Sequence, residues 1–432
     1  MIKFASRRAA IVLAGSALTL AVGMIPAQAA TSGWRTDATV AVRGSVALFY
    51  GASASSPSNA WTTGFSAKTK GSSLPKPLIR HWTGKAWRAV TLPAKIAKSW
   101  AKQGPIITQI GVSSARSVWI VNSVEGSYLR LNGSRWSLGQ LPGASEKSGA
   151  LLLIDAVKAF SATDVWAFGA RSTISGTQEL SAPYAARYNG RKWATVTVPA
   201  LPSGGGGISA VAAVSANDIW AVESAASSSS SPISAASNPA VARVVAASPA
   251  VKLAVARLRH AASAAAPPVV LQWTSSAGWQ QTTQQPTLAA TDELNSGIAE
   301  PNGDVWFGGS AVNSANGTSP VTTEWNGTEW SAVSDLPGKA SSADVEVTAM
   351  TPDGTGGIWA LAANENSESE RIWHLHGTTW SQVKPSFGKH AWILETLALV
   401  PRTHSVWGVG TVEGSSKSTA NGLIAVDGSV PR

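Results

Sequence analysis

The chain has 432 residues, of which 20 are Trp and 0 are Cys, and it carries a formal net charge of +10. Without Cys there can be no disulfide framework, no thiol nucleophile and no Cys-ligated metal, so the fold depends on its core alone. Apolar residues make up 44% of the chain and charged residues only 13%, which is typical of a globular protein with a sizeable core.

The N-terminus has the features of an export signal. Lys3, Arg7 and Arg8 precede a mostly apolar stretch at 11–25, and Ala27-Gln28-Ala29 is a small-residue cleavage site. A membrane anchor is the alternative, but the apolar stretch is shorter than the roughly 20 residues of a spanning helix. We therefore predict a signal peptide at 1–29 and a mature chain that is secreted, extracellular and without a membrane span.

A Trp-centred phrase recurs along the rest of the chain. Its copies contain Trp61, Trp119, Trp166, Trp220, Trp306, Trp359 and Trp407. Each copy lies in a similar context: an alternating apolar run such as 208–214, a tight polar turn such as 215–218, and then the Trp. Six copies are followed by a Gly-x-x-Trp phrase or a close variant. The period-two alternation predicts strands, and Asn-Gly and related pairs before the last strand predict hairpin turns.

Seven repeats of this plan predict an all-β fold, a seven-bladed β-propeller of four-stranded antiparallel blades. The last repeat ends at 427–429 without its final Trp, and Trp34 supplies that residue at the other end of the chain. Trp34 precedes Trp61 by 27 residues (61 − 34), a spacing that other repeats share. We predict that the N-terminal strand completes the last blade, so that residues 30–432 form a single closed propeller.

Three phrases resemble those of secreted Trp-rich β-propeller proteins of actinobacteria: Asp-Val-Trp-Ala-Phe-Gly at 164–169, Asp-Ile-Trp-Ala-Val at 218–222 and Trp-Asn-Gly-Thr-Glu-Trp at 325–330. The resemblance covers the mature chain apart from one insertion. It implies an extracellular propeller and no particular activity, because many functions share one fold. Asp164, Asp218 and Asp304 recur just before the Trp phrase, and we predict that their side chains cap turns.

A Ser/Ala-rich insertion at about 223–268 enlarges the fourth blade. Within it, residues 250–263 can form a short helix that carries Lys252, Arg257 and Arg259. A linker or surface decoration is one interpretation, and a helix that binds a partner or a membrane surface is the other.

The charge is unevenly distributed along the sequence. Residues 30–268 contain 24 Lys+Arg and 8 Asp+Glu, whereas residues 269–432 contain 7 and 16. The basic half can bind polyanions such as an anionic wall polymer, a two-sided disc can self-associate, and a simple solubilising surface is the third interpretation. We expect a monomer.

Few residues stand outside the repeat as candidates for a site. Trp100 and Trp392 lie in or beside connections between blades, where they can stack on a sugar or pack a loop. Together with Lys252, Arg257 and Arg259 they are the predicted binding residues. The His residues show no metal-like spacing and no catalytic or cofactor motif occurs, so we predict no catalytic, cofactor-binding or metal residue and no cofactor.

The first functional hypothesis is a secreted, non-enzymatic binding or interaction protein that uses its variable-loop face for an extracellular polymer or protein. The rival is an extracellular carbohydrate-active hydrolase or lyase at the mouth of the central channel. Glu125, Glu179, Glu223 and Glu413 are the carboxylates nearest the variable loops. Charged side chains that converge in the channel would favour the enzyme, and an apolar or plugged channel would favour binding.

Overall fold

The computed structural model describes residues 33–69, 75–104, 108–144, 150–175, 178–201, 206–224, 266–337, 344–364, 370–414 and 419–429. These residues form strands β1 to β28 and one helix, α1. The expected signal at 1–29 and the expected helix at 250–263, with Lys252, Arg257 and Arg259, lie outside them. Across the described residues, no helix has the length and apolar character needed to cross a membrane.

The strands form seven antiparallel sheets of four strands, one for each blade. Blade one contains β2 (Ser45–Ser56), β3 (Asn59–Lys68), β4 (Lys76–Trp82) and β5 (Trp87–Ala89), and α1 (Ala94–Lys102) connects it to blade two. Blade two contains β6 (Thr108–Ser114), β7 (Ser117–Asn122), β8 (Ser127–Asn132) and β9 (Arg135–Gln140). Blade three contains β10 (Leu151–Ala159), β11 (Val165–Ser175), β12 (Gln178–Tyr188) and β13 (Trp193–Val196).

The other blades follow the same order. Blade four contains β14 (Gly207–Ser215), β15 (Asp218–Ser224), β16 (Val269–Thr274) and β17 (Gly278–Gln281). Blade five contains β18 (Glu293–Ala299), β19 (Val305–Val312), β20 (Thr318–Trp325) and β21 (Ser334–Asp335). Blade six contains β22 (Val345–Pro352), β23 (Ile358–Asn364), β24 (Arg371–His376) and β25 (Thr379–Val383). Blade seven contains β26 (Trp392–Leu399), β27 (Val406–Glu413), β28 (Ala420–Asp427) and β1 (Arg35–Val40).

The two ends of the chain close the ring. β1 pairs antiparallel with β28, with Arg35 opposite Val426, so the N-terminal strand is the outer strand of the last blade. The Trp34 ring is fully buried. It packs in a T-shaped arrangement with Trp359 of blade six, with 5.4 Å between the ring centroids. The predicted seven-bladed propeller and its closure by the N-terminal strand are both confirmed.

The recurring Trp residues fill the spaces between blades. Trp407 of blade seven lies 5.2 Å from Trp82 of blade one, and Trp119 of blade two lies 4.8 Å from Tyr188 of blade three. Large aromatic rings of this kind bury much apolar area at a single position. The Trp phrase therefore contributes to packing, and it recurs because every blade packs against its neighbours.

The antiparallel order gives the propeller two different faces. The inner strand of each blade runs from the face that carries the connections between blades and the loops between second and third strands, here called the loop face. It ends at the tight turn before the second strand, on the face here called the turn face. A site at either face is therefore built from short, predictable pieces of each repeat.

Two of the recurrent Asp side chains differ from the prediction. Asp164 binds the Arg187 guanidinium on the third strand through both oxygens, and Asp218 accepts a hydrogen bond from Gln272. The third strand lies beside the second and presents a long polar side chain, which reaches the carboxylate across the sheet. A turn cap through backbone N–H groups occurs instead at Asp353, which accepts from Thr355 and Gly357.

Candidate functional site

A cavity of about 510 Å³ occupies the central channel. Inner strands of all seven blades line it, and the lining runs from the middle of each strand to its end at the turn face. Its volume lies within the roughly 300–1,000 Å³ of small-molecule sites in proteins. The channel is neither plugged nor apolar, so it is the first candidate for a ligand site.

One polar side chain from each blade faces this cavity at the same level. These residues, here called the channel ring, are Tyr50, Gln109, Asp155, Ser209, Asn295, Thr348 and Glu395. In six blades the residue is the extra one of a β-bulge, where the pairing with the second strand skips one position. A bulged residue is displaced from the ladder and its side chain is re-aimed, here into the channel.

Glycine in the Trp phrase makes room for this bulge. Gly64, Gly169, Gly309 and Gly410 each lie three residues after the second-strand Trp. A Cβ at any of them would overlap the carbonyl oxygen of a residue on the adjacent inner strand, Leu48 in the case of Gly64. The Trp-x-x-Gly pattern therefore shapes the inner strand as well as the space between blades.

Members of the channel ring differ in whether the protein satisfies them. Ser209 donates to the Leu294 carbonyl at 2.7 Å, and the Asn295 amide donates to Glu346 at 3.0 Å. In contrast, the Tyr50 hydroxyl, the Thr348 hydroxyl and Glu395 Oε1 are buried with no hydrogen-bond partner among the described residues. Asp155 and Gln109 also line the cavity and have no partner among the described residues, but they are half-buried. Native proteins satisfy most buried polar atoms, so the unsatisfied atoms of Tyr50, Thr348 and Glu395 need an explanation.

The cavity disfavours charge of either sign. Burial raises the pKa of Asp155 to about 7 and that of Glu395 to about 8. Burial also lowers the pKa of Lys158, which lies on the same strand as Asp155 and lines the same cavity. For Tyr50, burial and the nearby Glu395 carboxylate raise the pKa well above its usual value. Asp155 and Glu395 can therefore remain partly protonated near neutral pH, so that each can donate as well as accept hydrogen bonds.

A second candidate lies on the loop face, at the connection between blades one and two. α1 packs against β4 and β9, and its Ala and Lys residues are good helix formers. Trp100 is buried, whereas Lys95, Lys98 and Lys102 are exposed, with spacings of three and four that place them along one side of the helix. Lys68 and Lys76, at the loop-face ends of β3 and β4, are also exposed. These five lysines are here called the lysine surface.

No carboxylate of the local sequence neutralises this region. From residue 38 to residue 124 the chain contains no Asp or Glu. It contains eleven basic residues there: Arg43, Lys68, Lys70, Lys76, Arg80, Lys85, Arg88, Lys95, Lys98, Lys102 and Arg116. Among the described residues, none of the five exposed lysines forms a salt bridge. Uncompensated positive charge of this kind attracts anions over several ångströms.

A third polar position recurs opposite the second-strand Trp. Its residues, here called the belt, are His81, Arg130, Arg187, Gln272, Glu324, His374 and Val426. His81 stacks on Trp61 at 4.1 Å and His374 stacks on Trp359 at 4.0 Å. Their ring nitrogens bond Asn59 at 2.7 Å and Asp353 at 2.9 Å. These His residues have local partners, as expected for structural side chains.

Blade five departs from this pattern by placing a carboxylate in the belt. Ligand atoms of Glu300, Asp304 and Glu324 lie within 4.8 Å of one another. Burial raises the pKa of Glu300 and Glu324, and the neighbouring carboxylates raise both further. In the part of the chain that the structure describes, this is the group that could hold a metal ion, through oxygen ligands of the kind that Ca²⁺ and Mg²⁺ prefer. The prediction that the chain has no metal residue stays a prediction.

The residues predicted from sequence lie elsewhere. Trp100 is only 2% exposed and belongs to the core between blades one and two, as in the loop-packing interpretation. Trp392 is half-buried at the loop-face end of β26, with its ring 5.0 Å from Phe387. Their role in binding remains a prediction. Lys252, Arg257 and Arg259 lie outside the described residues.

The carboxylates nearest the variable loops belong to separate parts of the ring. Glu223 is buried, accepts a hydrogen bond from the Leu201 amide, and has its pKa raised by burial to about 7, but it does not line the cavity. Glu413 lies 4.0 Å from His390, and Glu125 is in a turn with a positive φ of 81°. The backbone of Glu179 pairs with Ile174 in blade three. Four different blades carry these residues.

Sequence reasoning did not find the channel ring, although a signal for it is present. In blade three, for example, the polar Asp155 follows four apolar residues of the inner strand, 151–154. Position within the alternation does not identify it, because the bulge shifts the register by one residue. A Gly three residues after the second-strand Trp, present in four of the seven blades, was the available clue.

Comparison with solved structures finds proteins of similar fold. No protein-family model matches the chain, and no curated protein matches it in sequence. A virginiamycin B lyase from Staphylococcus aureus, a catalytically inactive variant with quinupristin, is similar over 90% of this chain and 97% of its own, with 11% identity and a TM-score of 0.50. An ulvan lyase, a polysaccharide lyase, is similar over 90% of this chain and 94% of its own, with 9% identity and a TM-score of 0.51. The chain shares their β-propeller fold. At such identities the likeness concerns the fold alone.

Proposed function

We propose that the protein is a secreted, non-enzymatic binding protein that holds an anionic extracellular polymer on the loop face of blades one and two. The observation that carries this proposal is the lysine surface, five exposed lysines in a segment without any Asp or Glu. Exposed ammonium groups bind anions through long-range attraction rather than through a fitted pocket. A polymer gains most from such a surface because it contacts several lysines at once.

Secretion is part of the proposal. The signal-like segment at 1–29 supports it, as does the resemblance to the secreted Trp-rich propellers of actinobacteria. In this scheme residues 30–432 are a single propeller with an insertion at about 223–268, and a polymer of the cell wall or its surroundings is the partner. Lys252, Arg257 and Arg259 of the insertion belong to the same basic half of the sequence, 30–268.

A salt-dependent binding measurement with matched variants tests the proposal. Purified protein is titrated with polyphosphate, and with dextran as a neutral polymer, at about 0.05 M and about 0.5 M salt. We expect binding to polyphosphate alone, weakened at least about tenfold by the higher salt. Substituting Lys95→Gln, Lys98→Gln and Lys102→Gln together should weaken it by a similar factor.

A control variant removes the same charge from the turn face. Lys85, Arg116 and Lys192 are exposed there, and replacing all three by Gln changes the net charge equally. If this control weakens binding as much as the helix variant does, net charge and not the lysine surface is responsible. Salt-insensitive binding, or no binding of polyphosphate, would contradict the proposal.

An extracellular carbohydrate-active hydrolase or lyase is the second candidate, and one observation favours it. Asp155, Lys158 and Glu395 face the channel cavity, and groups with pKa values near 7 and 8 suit proton transfer at neutral pH. Against it, Asp155 is on blade three and Glu395 on blade seven, so they approach the cavity from well-separated parts of the ring. Release of reducing ends or unsaturated products from a polysaccharide panel, lost in Asp155→Asn and Glu395→Gln, would establish this alternative.

A further inference from the structure

The central cavity contains polar groups that the protein leaves without partners. Asp155 and Lys158 of blade three and Gln109 of the adjacent blade two line it with no hydrogen-bond or ion-pair partner among the described residues. At the same level Tyr50 is only 8% exposed, yet its hydroxyl is unsatisfied. Glu395, on the blade next to that of Tyr50, has one buried and unsatisfied oxygen.

This arrangement is costly unless something fills the cavity. A buried donor or acceptor without a partner destabilises the folded state, and the Tyr50 hydroxyl, the Thr348 hydroxyl and Glu395 Oε1 are three such atoms among the described residues. The belt shows that this fold can satisfy polar side chains locally, as Asp353 does for His374 at 2.9 Å. The cavity groups are arranged instead to bond to something that enters from outside.

The chemistry of the lining limits what that molecule can be. The cavity raises the pKa of its carboxyl groups and lowers that of its amine, so it penalises anions and cations alike. Between the polar groups lie apolar side chains such as Ile110, Val211 and Leu397. Hydroxyl groups on a carbon skeleton match such a mixture, because hydroxyls both donate and accept while C–H groups cover the apolar side chains.

We propose that the central cavity is a binding site for a small, uncharged, polyhydroxylated ligand, contacted by Gln109, Asp155, Lys158 and Glu395. The cavity of about 510 Å³ has room for one such molecule. It opens from the turn-face half of the channel, so it is separate from the lysine surface on the loop face. The two sites can be occupied independently.

Calorimetric titration with defined small molecules tests this assignment. The probes are glucose, galactose, mannose, N-acetylglucosamine and myo-inositol, with glucuronate and glucosamine as charged comparisons. We expect at least one neutral probe to bind, and its charged analogue to bind at least about tenfold more weakly. Asp155→Ala and Lys158→Met should each weaken the neutral probe by about five- to tenfold, the effect of losing one buried hydrogen bond.

Matched variants keep the test independent of folding. Glu329→Ala and Lys192→Met remove the same chemical groups from exposed turns and should leave the affinity unchanged. Circular dichroism establishes that every variant is folded. The assignment is overturned if no neutral probe binds, if a charged analogue binds more tightly, or if the cavity and turn variants have equal affinities. Binding of polyphosphate plays no part in the outcome, so this test and the test of the lysine surface can fail separately.

Discussion

The belt and the channel ring are both polar positions that recur in every blade or nearly so, yet the protein treats them differently. In the belt, His374 is stacked on Trp359 and bonded to Asp353, and Arg187 is bonded to Asp164 through both carboxylate oxygens. In the channel ring, Tyr50 and Glu395 have buried polar atoms with no partner among the residues that the structure describes. Pairing marks the belt as part of the framework, and its absence marks the ring as a place where a ligand could act.

Blade five shows that like charges can lie close together at the belt position. Five other blades have His, Arg or Gln opposite the second-strand Trp and blade seven has Val426, whereas blade five has Glu324, close to Glu300 and Asp304. The strand pairing is the same, with Glu324 opposite Trp306, but Trp306 is half-buried, whereas the second-strand Trp of every other blade is buried. A repeat position can therefore change its chemistry while its strand pairing is kept.

The largest expected effect comes from breaking a satisfied belt pair. Asp353→Ala leaves His374, Thr355 and Gly357 without their acceptor, and we expect a loss of about 2–4 kcal/mol in unfolding free energy at pH 7. Burial alone would raise the pKa of Asp353, but these hydrogen bonds hold it well below its usual value. The stabilisation is thus present above pH 3.8 and is lost as pH falls further.

Urea denaturation at pH 7 and pH 3 measures this loss, with Asp335→Ala in an exposed strand as the control. Equal stability of the two variants would mean that the belt pair contributes no more than a surface carboxylate.

The next prediction concerns the channel ring, where a substitution is expected to raise the unfolding free energy instead of lowering it. Burial raises the pKa of Glu395 from 4.5 to about 8, with Glu370 and Tyr50 as its ionisable neighbours. The folded state therefore binds more protons than the unfolded state between these values, and stability falls as pH rises through that window. We expect Glu395→Gln to raise the unfolding free energy by about 2 kcal/mol at pH 8.5 and little at pH 4.5.

Denaturation curves across this pH range, with exposed Glu329→Gln for comparison, give the result. A slope with pH that is the same in wild type and in Glu395→Gln would show that this carboxyl is not buried in the folded protein.

A smaller gain in unfolding free energy is expected from replacing Glu324, the carboxylate at the belt position of blade five. Burial and the carboxylates of Asp304 and Glu300 raise the pKa of Glu324, so its charge opposes folding as pH rises above 4.5. Glu324→Gln should add about 0.5–1 kcal/mol at pH 7, since partial exposure screens the repulsion. Thermal denaturation of Glu324→Gln beside Asp335→Asn measures it, and a destabilised Glu324→Gln would contradict this view of the cluster.

The smallest expected effect is on the lysine surface. Lys95→Gln, Lys98→Gln and Lys102→Gln together should change the unfolding free energy by less than about 0.5 kcal/mol, because exposed side chains without partners contribute little. A larger loss would mean that these lysines stabilise α1, and that any loss of polyphosphate binding in this variant has a structural cause. Urea denaturation of the same sample used for binding separates the two.

Much of the fold could be predicted because each blade repeats the same local sequence signals for strands and turns. The alternation before Trp220, the polar turn at 215–218 and the hairpin glycines are all local, and the ring closure followed from the position of Trp34. The site was less predictable. Whether Asp155 faces the channel depends on a bulge that the pairing with β11 creates, and whether Asp164 caps a turn depends on Arg187, 23 residues away.

The sequence by itself determined the number of blades, their strand order and the closing strand, since a repeated hydrophobic pattern can be buried in only one way. Tertiary structure decided which polar side chains share the channel and which find partners across a sheet. The channel residues meet because seven blades surround one axis, and the sheet partners Asp164 and Arg187 lie on one blade but 23 residues apart. No local pattern encodes either property, because the residues that meet are distant in the sequence.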